Sequence, residues 1–346
     1  MAEKLKCAFF GLEPWEVDFV QKHLGSGFSA SFHPENLDEK TLHIAKDANC
    51  IGVFIYSKCN AKILSSLPKL KFICTFSTGY DHIDLDYCRK KGISVAFVPT
   101  YGEKTVAEHT FALMLSLIRH IPPSTERVLH GDFSVQGFMG TELFGKTLGV
   151  LGVGHIGSHV IKIAKGFGMD VLAYEPTPKY DLANRLGYSY APLNTVLAKA
   201  DILTLHLPLT DKTRHLINAK NLSKMKKGAI LINTSRGGIV DTQALARALA
   251  SGQLGGAALD VLEEEPLIRE EREVLTQGTA RASAIRTALL NHVLLGMPNV
   301  LITPHIAFYT KEALESIAKT CVENFRAYRA GRQLNQIDAQ KGKKPQ

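Results

Sequence analysis

The chain has 346 residues, of which 45% are hydrophobic and 21% are charged, and this is enough sequence for about two globular domains. No apolar run is long enough to span a bilayer, and the start MAEKLKCAFFGLEP lacks the hydrophobic segment of a secretory signal, so we expect a cytoplasmic protein without membrane contact. The net charge of +8 comes from scattered Lys and Arg residues, not from a basic motif with interleaved aromatics, which argues against nucleic acid and favours anionic small substrates.

The first third of the chain alternates short apolar runs with amphipathic stretches, a pattern typical of parallel α/β architecture. The predicted strands are KCAFFGL, CIGVFIY, LKFICTF and ISVAFVP, and PWEVDFVQKHL is a predicted helix. A long helix from Glu103 to Ile121 is apolar on more than one face, and we expect Pro122 and Pro123 to end it. The six cysteines include no Cys-x-x-Cys pair, so we expect buried free thiols, with neither disulfides nor a bound metal.

The alternating pattern restarts after this helix with the strands KTLGVLGVG, MDVLAYE, DILTLHLP, GAILINTS, GGAALDVLE and NVLITPH. The last predicted element is the helix TKEALESIAKTCVENFRAYRAG, which begins at a Thr cap with Glu312 nearby and ends at Gly331. The sequence therefore predicts two α/β units, one up to about Thr100 and one from the long helix to about Thr303. The pattern alone leaves open which unit the final helix packs on.

A glycine-rich motif, Gly152-Val-Gly154-His-Ile-Gly157, follows the first strand of the second unit and opens a helix. The first glycine permits a tight turn, the second lets a pyrophosphate approach the backbone, and the third lets the helix pack close to the strand. The next strand ends in Glu175, which is placed to accept hydrogen bonds from ribose hydroxyls and to repel a 2′-phosphate. The motif therefore predicts a site for NAD in preference to NADP; an ordinary glycine turn is the alternative.

Three later strands end in ionisable residues, and the carboxyl ends of parallel strands share the sheet edge at which ligands bind. GAILINTS leads into Arg236, GGAALDV carries Asp260 and leads into LEEEP with Glu265, and NVLITP leads into His305. A guanidinium binds a carboxylate bidentately, an imidazole exchanges a hydroxyl proton near neutral pH, and a nearby carboxylate stabilises the imidazolium. The set suits hydride transfer between NAD and a 2-hydroxy acid. Taken singly, each residue has an ordinary alternative as a surface charge, a solvated acidic loop or a strand-end histidine.

These residues belong to motifs that resemble the D-isomer-specific 2-hydroxyacid dehydrogenase family, particularly its D-lactate dehydrogenase-like members. The matching stretches span nearly the whole chain: STGYDHIDL, VPTYGEKTVAEHTFALML, GKTLGVLGVGHIG, LINTSRGGIVD, GGAALDVLEEEP and TPHIAFYT. The resemblance implies that Arg236 anchors the substrate carboxylate and that His305 donates and accepts the proton. It also implies that Glu265, the last acid before the proline, is the partner of this histidine.

The resemblance further assigns binding residues. The backbone amides of Thr78 and Gly79 are expected to hold the substrate carboxylate, with Tyr101 and Phe308 lining the pocket. His155 is expected to act through its backbone amide, and Asp260 to lie near the nicotinamide amide. Besides the three glycines, the implied cofactor contacts are His155, Ile156, Glu175, Leu207, Pro208, Thr213, Thr234, Ser235 and Asp260.

The architecture implied by the resemblance has two Rossmann-like or flavodoxin-like α/β domains with parallel sheets and a cleft between them. Residues 1–101 and 305–346 would form a discontinuous substrate-binding domain, and residues 102–304 the NAD-binding domain. The long helix near residues 103–121 would be the dimer element, so the expected partners are a small 2-keto or 2-hydroxy acid and a second copy of the chain.

Three features depart from the family pattern. Phe76 precedes STG where many relatives have Arg, Glu175 replaces the more usual Asp, and Leu267–Met297 is a long segment of unassigned role, either a flap or an interface. Two other functions are alternatives: an NAD-sensing, corepressor-like scaffold, which can keep the same three residues, and a phosphite dehydrogenase, whose relatives carry Lys at the position of Thr78. The length of the substrate side chain stays open.

Overall fold

The computed structural model describes residues 4–265 and 282–337, which form two compact units. The first unit contains residues 4–101 and 310–337, and the second contains residues 102–265 and 282–309. The chain returns from the second unit to the first between Tyr309 and Thr310, five residues beyond the expected boundary at 304/305. The loop that carries His305 therefore belongs to the second unit, because Asp260 of that unit accepts hydrogen bonds from its backbone.

The first unit is built on a parallel sheet. Its strands are β1 Leu5–Phe10, β2 Phe28–His33, β3 Cys50–Val53, β4 Phe72–Thr75 and β5 Ser94–Ala96, and its first helices are α1 Pro14–Leu24, α2 Ala61–Ser65 and α3 Leu85–Lys91. The strands lie in the order β2-β1-β3-β4-β5, and all their pairings are parallel. The short apolar runs of the first third of the sequence thus form the strands that their pattern predicts.

An aromatic cluster joins this sheet to the last helix of the described chain, Lys311–Arg329. The Phe325 ring lies 4.9 Å from the Phe9 ring and 5.3 Å from the Phe72 ring, between centroids, and Phe325 is fully buried. Tyr328, one helical turn later, stacks on Phe72 at 4.3 Å. Large rings buried in this way contribute strongly to a core. The final helix therefore packs in the first unit, which answers the question that the sequence pattern left open.

The second unit contains seven parallel strands: β6 Thr147–Leu151, β7 Asp170–Tyr174, β8 Ser189–Tyr190, β9 Ile202–Leu205, β10 Ala229–Asn233, β11 Leu254–Leu259 and β12 Val300–Ile302. Its described helices are α4 Glu103–Ile118, α5 Ile121–Leu129, α6 His155–Gly166, α7 Tyr180–Leu186, α8 Leu193–Lys199, α9 Ala219–Leu222, α10 Thr242–Ala250 and α11 Ala282–Leu295, so that Lys311–Arg329 is α12. The strand order is β12-β11-β10-β9-β6-β7-β8. The chain order reverses between β6 and β9, and in sheets of this doubly wound type ligands bind outside the strand ends at that reversal.

The long helix differs from its predicted form at its C-terminal end. α4 ends at Ile118, and His120 takes a left-handed conformation with φ of 54°. Pro122 and Pro123 do not end α4 but lie in the first turn of α5. The prediction of one helix ended by prolines was wrong because proline fits the first turn of a helix, where the backbone N–H groups have no partner within the helix.

The six cysteines, all in the first unit, are buried and form no disulfide. Burial raises the pKa of Cys59 to about 12 and that of Cys88 to about 12, which keeps both thiols protonated and unreactive. Within residues 4–265 and 282–337, no helix has the length and apolar character needed to cross a membrane. The segment Leu267–Met297 lies partly outside the described residues, and its described part is α11 with the turn that follows.

Candidate active site

The glycine-rich loop follows β6, at the reversal of strand order. Gly152 has φ of 94°, a conformation that side-chain-bearing residues rarely adopt. A Cβ at Gly157 would overlap the carbonyl oxygen of Gly152, whereas a Cβ at Gly154 would have no atom within 4 Å. The first glycine thus makes the turn, the third permits close packing, and the second leaves space above the backbone for a ligand.

The N-terminus of α6 opens onto this space. Its N-cap residue is Gly154, which has no side chain to satisfy the first N–H groups of the helix. A Glu175 carboxylate oxygen accepts a hydrogen bond from the Val153 N–H at 2.8 Å, which holds this acid against the loop. The His155 ring lies 3.1 Å from a Glu103 carboxylate oxygen, and Ile156 packs against the core. An uncapped helix N-terminus beside open space and a fixed acid fits the pyrophosphate and ribose of NAD.

The other expected cofactor residues of the second unit lie in two loops. In the loop after β9, Leu207 is buried, and the Thr213 hydroxyl donates to the Pro208 carbonyl at 2.6 Å. In the loop after β10, the Thr234 hydroxyl is 3.0 Å from the Thr110 hydroxyl and the Ser235 hydroxyl donates to the side chain of Asn233. Their contacts with cofactor remain predictions, but each hydroxyl has a structural bond that fixes its loop.

Asn233 is a residue of this region that the sequence analysis missed. Its side-chain amide donates to the Arg236 carbonyl at 3.0 Å, and its oxygen accepts from the Ser235 N–H at 3.0 Å. These two hydrogen bonds therefore fix the backbone of the loop that carries Arg236. A polar residue ending the apolar run ILIN is the signal that could have identified it, since Asn233 is 1% exposed and a buried amide needs partners.

Arg236 is partly exposed, and its Nη1 donates to the Ser235 carbonyl at 2.7 Å. It is followed by a short 3₁₀ helix, Gly237–Ile239. A Cβ at Gly237 would overlap the backbone of Leu262 and Glu263, so only glycine lets the two loops touch. The requirement for glycine at position 237 is therefore the close approach of another backbone.

The three consecutive acids after β11 have different surroundings. Glu263 has structural partners: its Oε1 is 2.6 Å from His215 Nε2, and its Oε2 accepts from the Thr242 hydroxyl at 2.9 Å. Glu264 has φ of 54° and an exposed side chain. Glu265 has both carboxylate oxygens at 3.2 Å from His305 Nδ1. The structure therefore brings together the histidine and the acid that the resemblance paired.

His305 lies in a constrained loop after β12. Its φ is 59°, a left-handed conformation that is costly for a residue with a side chain. Its side chain is 21% exposed, and its ring meets the Phe308 ring edge to face, with 6.3 Å between centroids. Phe308 itself is buried. The imidazole is thus held between an acid and an aromatic ring while part of it reaches the surface of the unit.

Asp260 was expected at the nicotinamide, and the structure shows that its carboxylate also has several partners within the protein. Its oxygens accept hydrogen bonds from the Thr303 hydroxyl at 2.6 Å and from the N–H groups of Ile306 at 2.9 Å and Ala307 at 2.8 Å. Burial by itself raises the pKa of this carboxyl, but these bonds and one from His109 outweigh it, so the pKa lies below its usual value. Asp260 is therefore an ionised anchor for the loop that carries His305.

The expected substrate residues Thr78 and Gly79 lie in the loop after β4 of the first unit, and Tyr101 is the last residue of that unit before the chain crosses. The Thr78 hydroxyl donates to the Val98 carbonyl at 2.7 Å, and the Ser77 hydroxyl donates to the Gly79 carbonyl at 2.6 Å. Phe76 is 1% exposed and its ring packs edge to face on Phe9, so this departure from the family pattern is a core residue.

His82 lies three residues after Gly79, and its Nε2 is 3.3 Å from the Thr75 hydroxyl oxygen. Burial lowers the pKa of His82 to about 4, although Asp81 acts in the opposite direction. The folded chain thus resists a proton that the unfolded chain binds below its usual pKa near 6.5. The free energy of unfolding is therefore unaffected by the protonation of His82 above about pH 6.5. It falls by about 3 kcal/mol as the pH falls toward 4, because the unfolded chain takes up the proton first.

We therefore expect the variant His82→Gln, which does not titrate, to lose less stability than the wild type on acidification. The measurement is the urea-derived free energy of unfolding at about pH 7 and about pH 4.5. His43→Gln, at an exposed histidine, is the matched control and should keep the wild-type pH dependence. Equal losses in wild type and His82→Gln would contradict the assignment.

Together, the reversed strand order, the glycine loop and the strand-end residues define a dinucleotide-binding α/β oxidoreductase. Residues 111–307 match the family model described as D-isomer specific 2-hydroxyacid dehydrogenase, NAD binding domain. The chain is 39% identical over 335 residues to a 2-hydroxyacid dehydrogenase homolog of Zymomonas mobilis, which covers 95% of this chain and 98% of the relative.

Several solved structures are similar to this chain over nearly their whole length, among them the following two. One is the D-lactate dehydrogenase of Aquifex aeolicus complexed with NAD and lactic acid, with a TM-score of 0.84, 39% identity and coverage of 94% of this chain and 96% of that one. The other, from work identifying the pyruvate reductase of Chlamydomonas reinhardtii, has a TM-score of 0.85, 36% identity and coverage of 96% and 98%. The chain belongs to the D-isomer-specific 2-hydroxyacid dehydrogenase family and is an NAD-dependent oxidoreductase acting on 2-hydroxy acids.

Proposed function

We propose that this chain interconverts a small 2-keto acid and its D-2-hydroxy acid, with pyruvate and D-lactate as the first pair to test. The observation that carries the proposal is the pairing of His305 Nδ1 with both carboxylate oxygens of Glu265 at 3.2 Å. A histidine with one ring nitrogen fixed by an acid can use the other for proton exchange. The names of the two similar structures, a D-lactate dehydrogenase and a pyruvate reductase, support this choice of substrate.

Arg236 anchors the substrate carboxylate in this proposal. Asn233 and Ser235 fix the loop that presents it, so the guanidinium needs little ordering when an anion arrives. The backbone amides of Thr78 and Gly79 are proposed as further donors to the same carboxylate, since the Thr78 hydroxyl already bonds to Val98. Bidentate binding by Arg236 also holds the 2-keto group in one orientation.

His305 is the proton donor in the reductive direction. Bound NADH supplies the hydride that C2 takes up, and protonated His305 donates a proton to the oxygen that becomes the hydroxyl. Glu265 compensates the positive charge of the ring before the transfer and fixes its orientation. In the oxidative direction, the neutral ring accepts the same proton.

A substrate panel tests this proposal. Glyoxylate, pyruvate, 2-oxobutanoate, 4-methyl-2-oxopentanoate and phenylpyruvate are supplied with NADH, the loss of NADH absorbance is followed, and the product is resolved by chiral chromatography. We expect saturable turnover of at least one acid, with the D-hydroxy acid as product. Binding of NADH without turnover of any acid would favour the scaffold alternative, and reduction of NAD by phosphite would favour the phosphite dehydrogenase.

Glu175 gives a prediction about cofactor choice. Its fixed carboxylate should repel the 2′-phosphate of NADPH, so Glu175→Gln should lower the ratio of kcat/KM for NADH to that for NADPH by roughly 10-fold, equivalent to about 1.4 kcal/mol. The two ratios are measured with one keto acid. Asp181→Asn, an equal charge change at an exposed site on α7, is the matched control. An unchanged ratio in Glu175→Gln would remove Glu175 from cofactor selection.

We also propose that the chain is a cytoplasmic homodimer; the resemblance implied the helix near residues 103–121 as the dimer element, and we propose residues 121–144 in its place. The apolar side chains of α4, among them Phe111 and Met114, pack in the core of its own unit. Its broad apolar surface is therefore covered without a second copy of the chain. The exposed apolar residues follow it: Ile121, Val128, Leu129, Phe133, Val135, Met139 and Phe144, of which Met139 is 93% exposed. Clustered exposed apolar residues are typical of an association surface.

The variant Leu129→Asp should therefore weaken the dimer, because it places a charge in the apolar surface. Light scattering after gel filtration measures the mass against dilution. Tyr180→Asp, at an exposed aromatic residue of α7 in the same unit, is the control and should leave the mass unchanged. A wild-type chain that is monomeric at all concentrations would contradict the proposed dimer.

A further inference from the structure

His109 lies on α4, and not in one of the loops that follow the strands. It contacts the loop that carries His305. Its Nε2 is 3.2 Å from the Thr303 hydroxyl oxygen and 3.5 Å from Asp260 Oδ1. The His109 side chain is 21% exposed, whereas that of Asp260 is fully buried. The three side chains come from α4, from the end of β11 and from the residue after β12, so they join three elements of the second unit.

The direction of these hydrogen bonds determines which nitrogen of His109 carries a proton. The Thr303 hydroxyl has one hydrogen, and it donates that hydrogen to Asp260 Oδ1 at 2.6 Å. The Thr303 oxygen can therefore only accept a hydrogen bond from His109. His109 must accordingly carry a proton on Nε2, which donates to the Thr303 oxygen at 3.2 Å and lies 3.5 Å from Asp260 Oδ1.

Asp260 and Thr303, the two residues that His109 contacts, hold the backbone on both sides of His305. Asp260 accepts from the N–H groups of Ile306 and Ala307, directly after His305. The His305 N–H donates at 3.0 Å to the carbonyl of Thr303, two residues before it. His305 itself has φ of 59°, a conformation that persists only where its surroundings impose it.

We propose that His109 is a positioning residue for the proton transfer, acting through Thr303 and Asp260 on the backbone of His305. Its Nε2–H completes the hydrogen bonding of Asp260 and keeps the carboxylate directed at the two amides. These amides fix the left-handed turn, and the turn sets the direction in which the His305 ring faces Glu265. Asp260, Glu265 and His109 are ionisable side chains that lie against this loop. The role assigned to His109 rests on the proposed function of His305.

Two variants separate the donor from the volume of the side chain. His109→Leu removes the donor, and His109→Gln keeps an amide N–H at similar reach. Small misplacements of a reacting group are costly, so we expect His109→Leu to lower kcat roughly 10- to 100-fold, with His109→Gln closer to wild type. The dissociation constant of NADH, measured by its fluorescence, separates this loss in kcat from any loss of cofactor affinity through Asp260. The pH profile of kcat/KM should move in His109→Leu, since the contact of His305 with Glu265 is altered.

Thr303 provides an independent check of the same network. Thr303→Val has nearly the same shape without the hydroxyl and should resemble His109→Leu, while Thr303→Ser should keep most activity. The double variant His109→Leu with Thr303→Val should be little worse than the more damaged single variant, because both changes break one chain of contacts. His43→Leu, at an exposed histidine in the first unit, is the control.

A measurement without substrate distinguishes this inference from the proposed function. Ring resonances of His305 in ¹³C-histidine-labelled protein, assigned with His305→Asn, report the surroundings of the ring whether or not the chain reduces a keto acid. We expect them to shift or broaden in His109→Leu and Thr303→Val and to recover in His109→Gln. Unchanged resonances together with a wild-type pH profile would overturn the inference. Shifted resonances in a chain that turns over no keto acid would support the contact while rejecting the proposed function.

Discussion

Replacing His305 by asparagine is expected to lower kcat by about 10²- to 10⁴-fold, the usual contribution of a positioned general acid. Asparagine keeps a polar side chain and tolerates the left-handed backbone found at this position, so the loop after β12 should keep its form. The loss then reports the proton transfer and not the fold. Steady-state reduction of the best keto acid gives kcat, and NADH fluorescence gives the affinity for cofactor, which should stay within about two-fold because the substitution leaves the glycine loop intact.

The acids next to Pro266 supply an internal control for this experiment. Glu265→Gln should also reduce kcat, since both oxygens of Glu265 face His305, whereas Glu264→Gln changes the charge of an exposed neighbour and should have little effect. If Glu264→Gln were as damaging as Glu265→Gln, the pairing with His305 would not be the cause. A His305→Asn variant with wild-type kcat would reject the proton-transfer role altogether.

Replacing Arg236 by alanine is expected to raise KM and lower kcat together, with a loss in kcat/KM of about 10³-fold, equivalent to about 4 kcal/mol. The reason is that, in the proposed function, the guanidinium both binds the substrate carboxylate and orients the keto group beside it. Arg236→Lys should recover only part of the activity, because an ammonium cannot form the bidentate pair. Arg185→Ala, at an exposed arginine of α7, controls for the loss of one positive charge from the surface.

A neutral substrate analogue tests the carboxylate contact directly. Methyl pyruvate has the keto group of pyruvate but lacks the negative charge. The wild type should prefer pyruvate strongly, and Arg236→Ala should lose most of that preference, because the group that recognises the charge is gone. A variant that keeps the full preference for pyruvate would show that another residue binds the carboxylate.

Much of the fold could be predicted because its signals are local. The predicted apolar runs became parallel strands of three to six residues, and the motif from Gly152 to Gly157 became a turn and the start of a helix directly after a strand, as expected. The break after α4 could not be predicted in the same way. Proline ends one helix and begins another with similar ease, and only the left-handed His120 shows which of the two occurs here.

The candidate site was predictable where residues follow strands directly, and less so where tertiary contacts decide. Arg236, Glu265 and His305 lie in the loops that follow β10, β11 and β12, and their side chains are ionisable. The spacing of LEEEP cannot separate its three acids; the structure does, because Glu263 is engaged by His215 and Thr242. His109 looks like one residue of an apolar helix, and its contact with Thr303 joins positions 194 residues apart.

The burial of all six cysteines makes the chain a convenient host for chemical labelling. Maleimides react with exposed thiolates, and none of the native thiols is exposed. A cysteine introduced at Lys212, which is exposed and lies beside Thr213 in the loop after β9, would therefore take a fluorescent dye alone, with no need to remove the native cysteines. If Thr213 contacts the cofactor as predicted, such a dye would report the arrival of NADH in real time and in the otherwise unaltered chain.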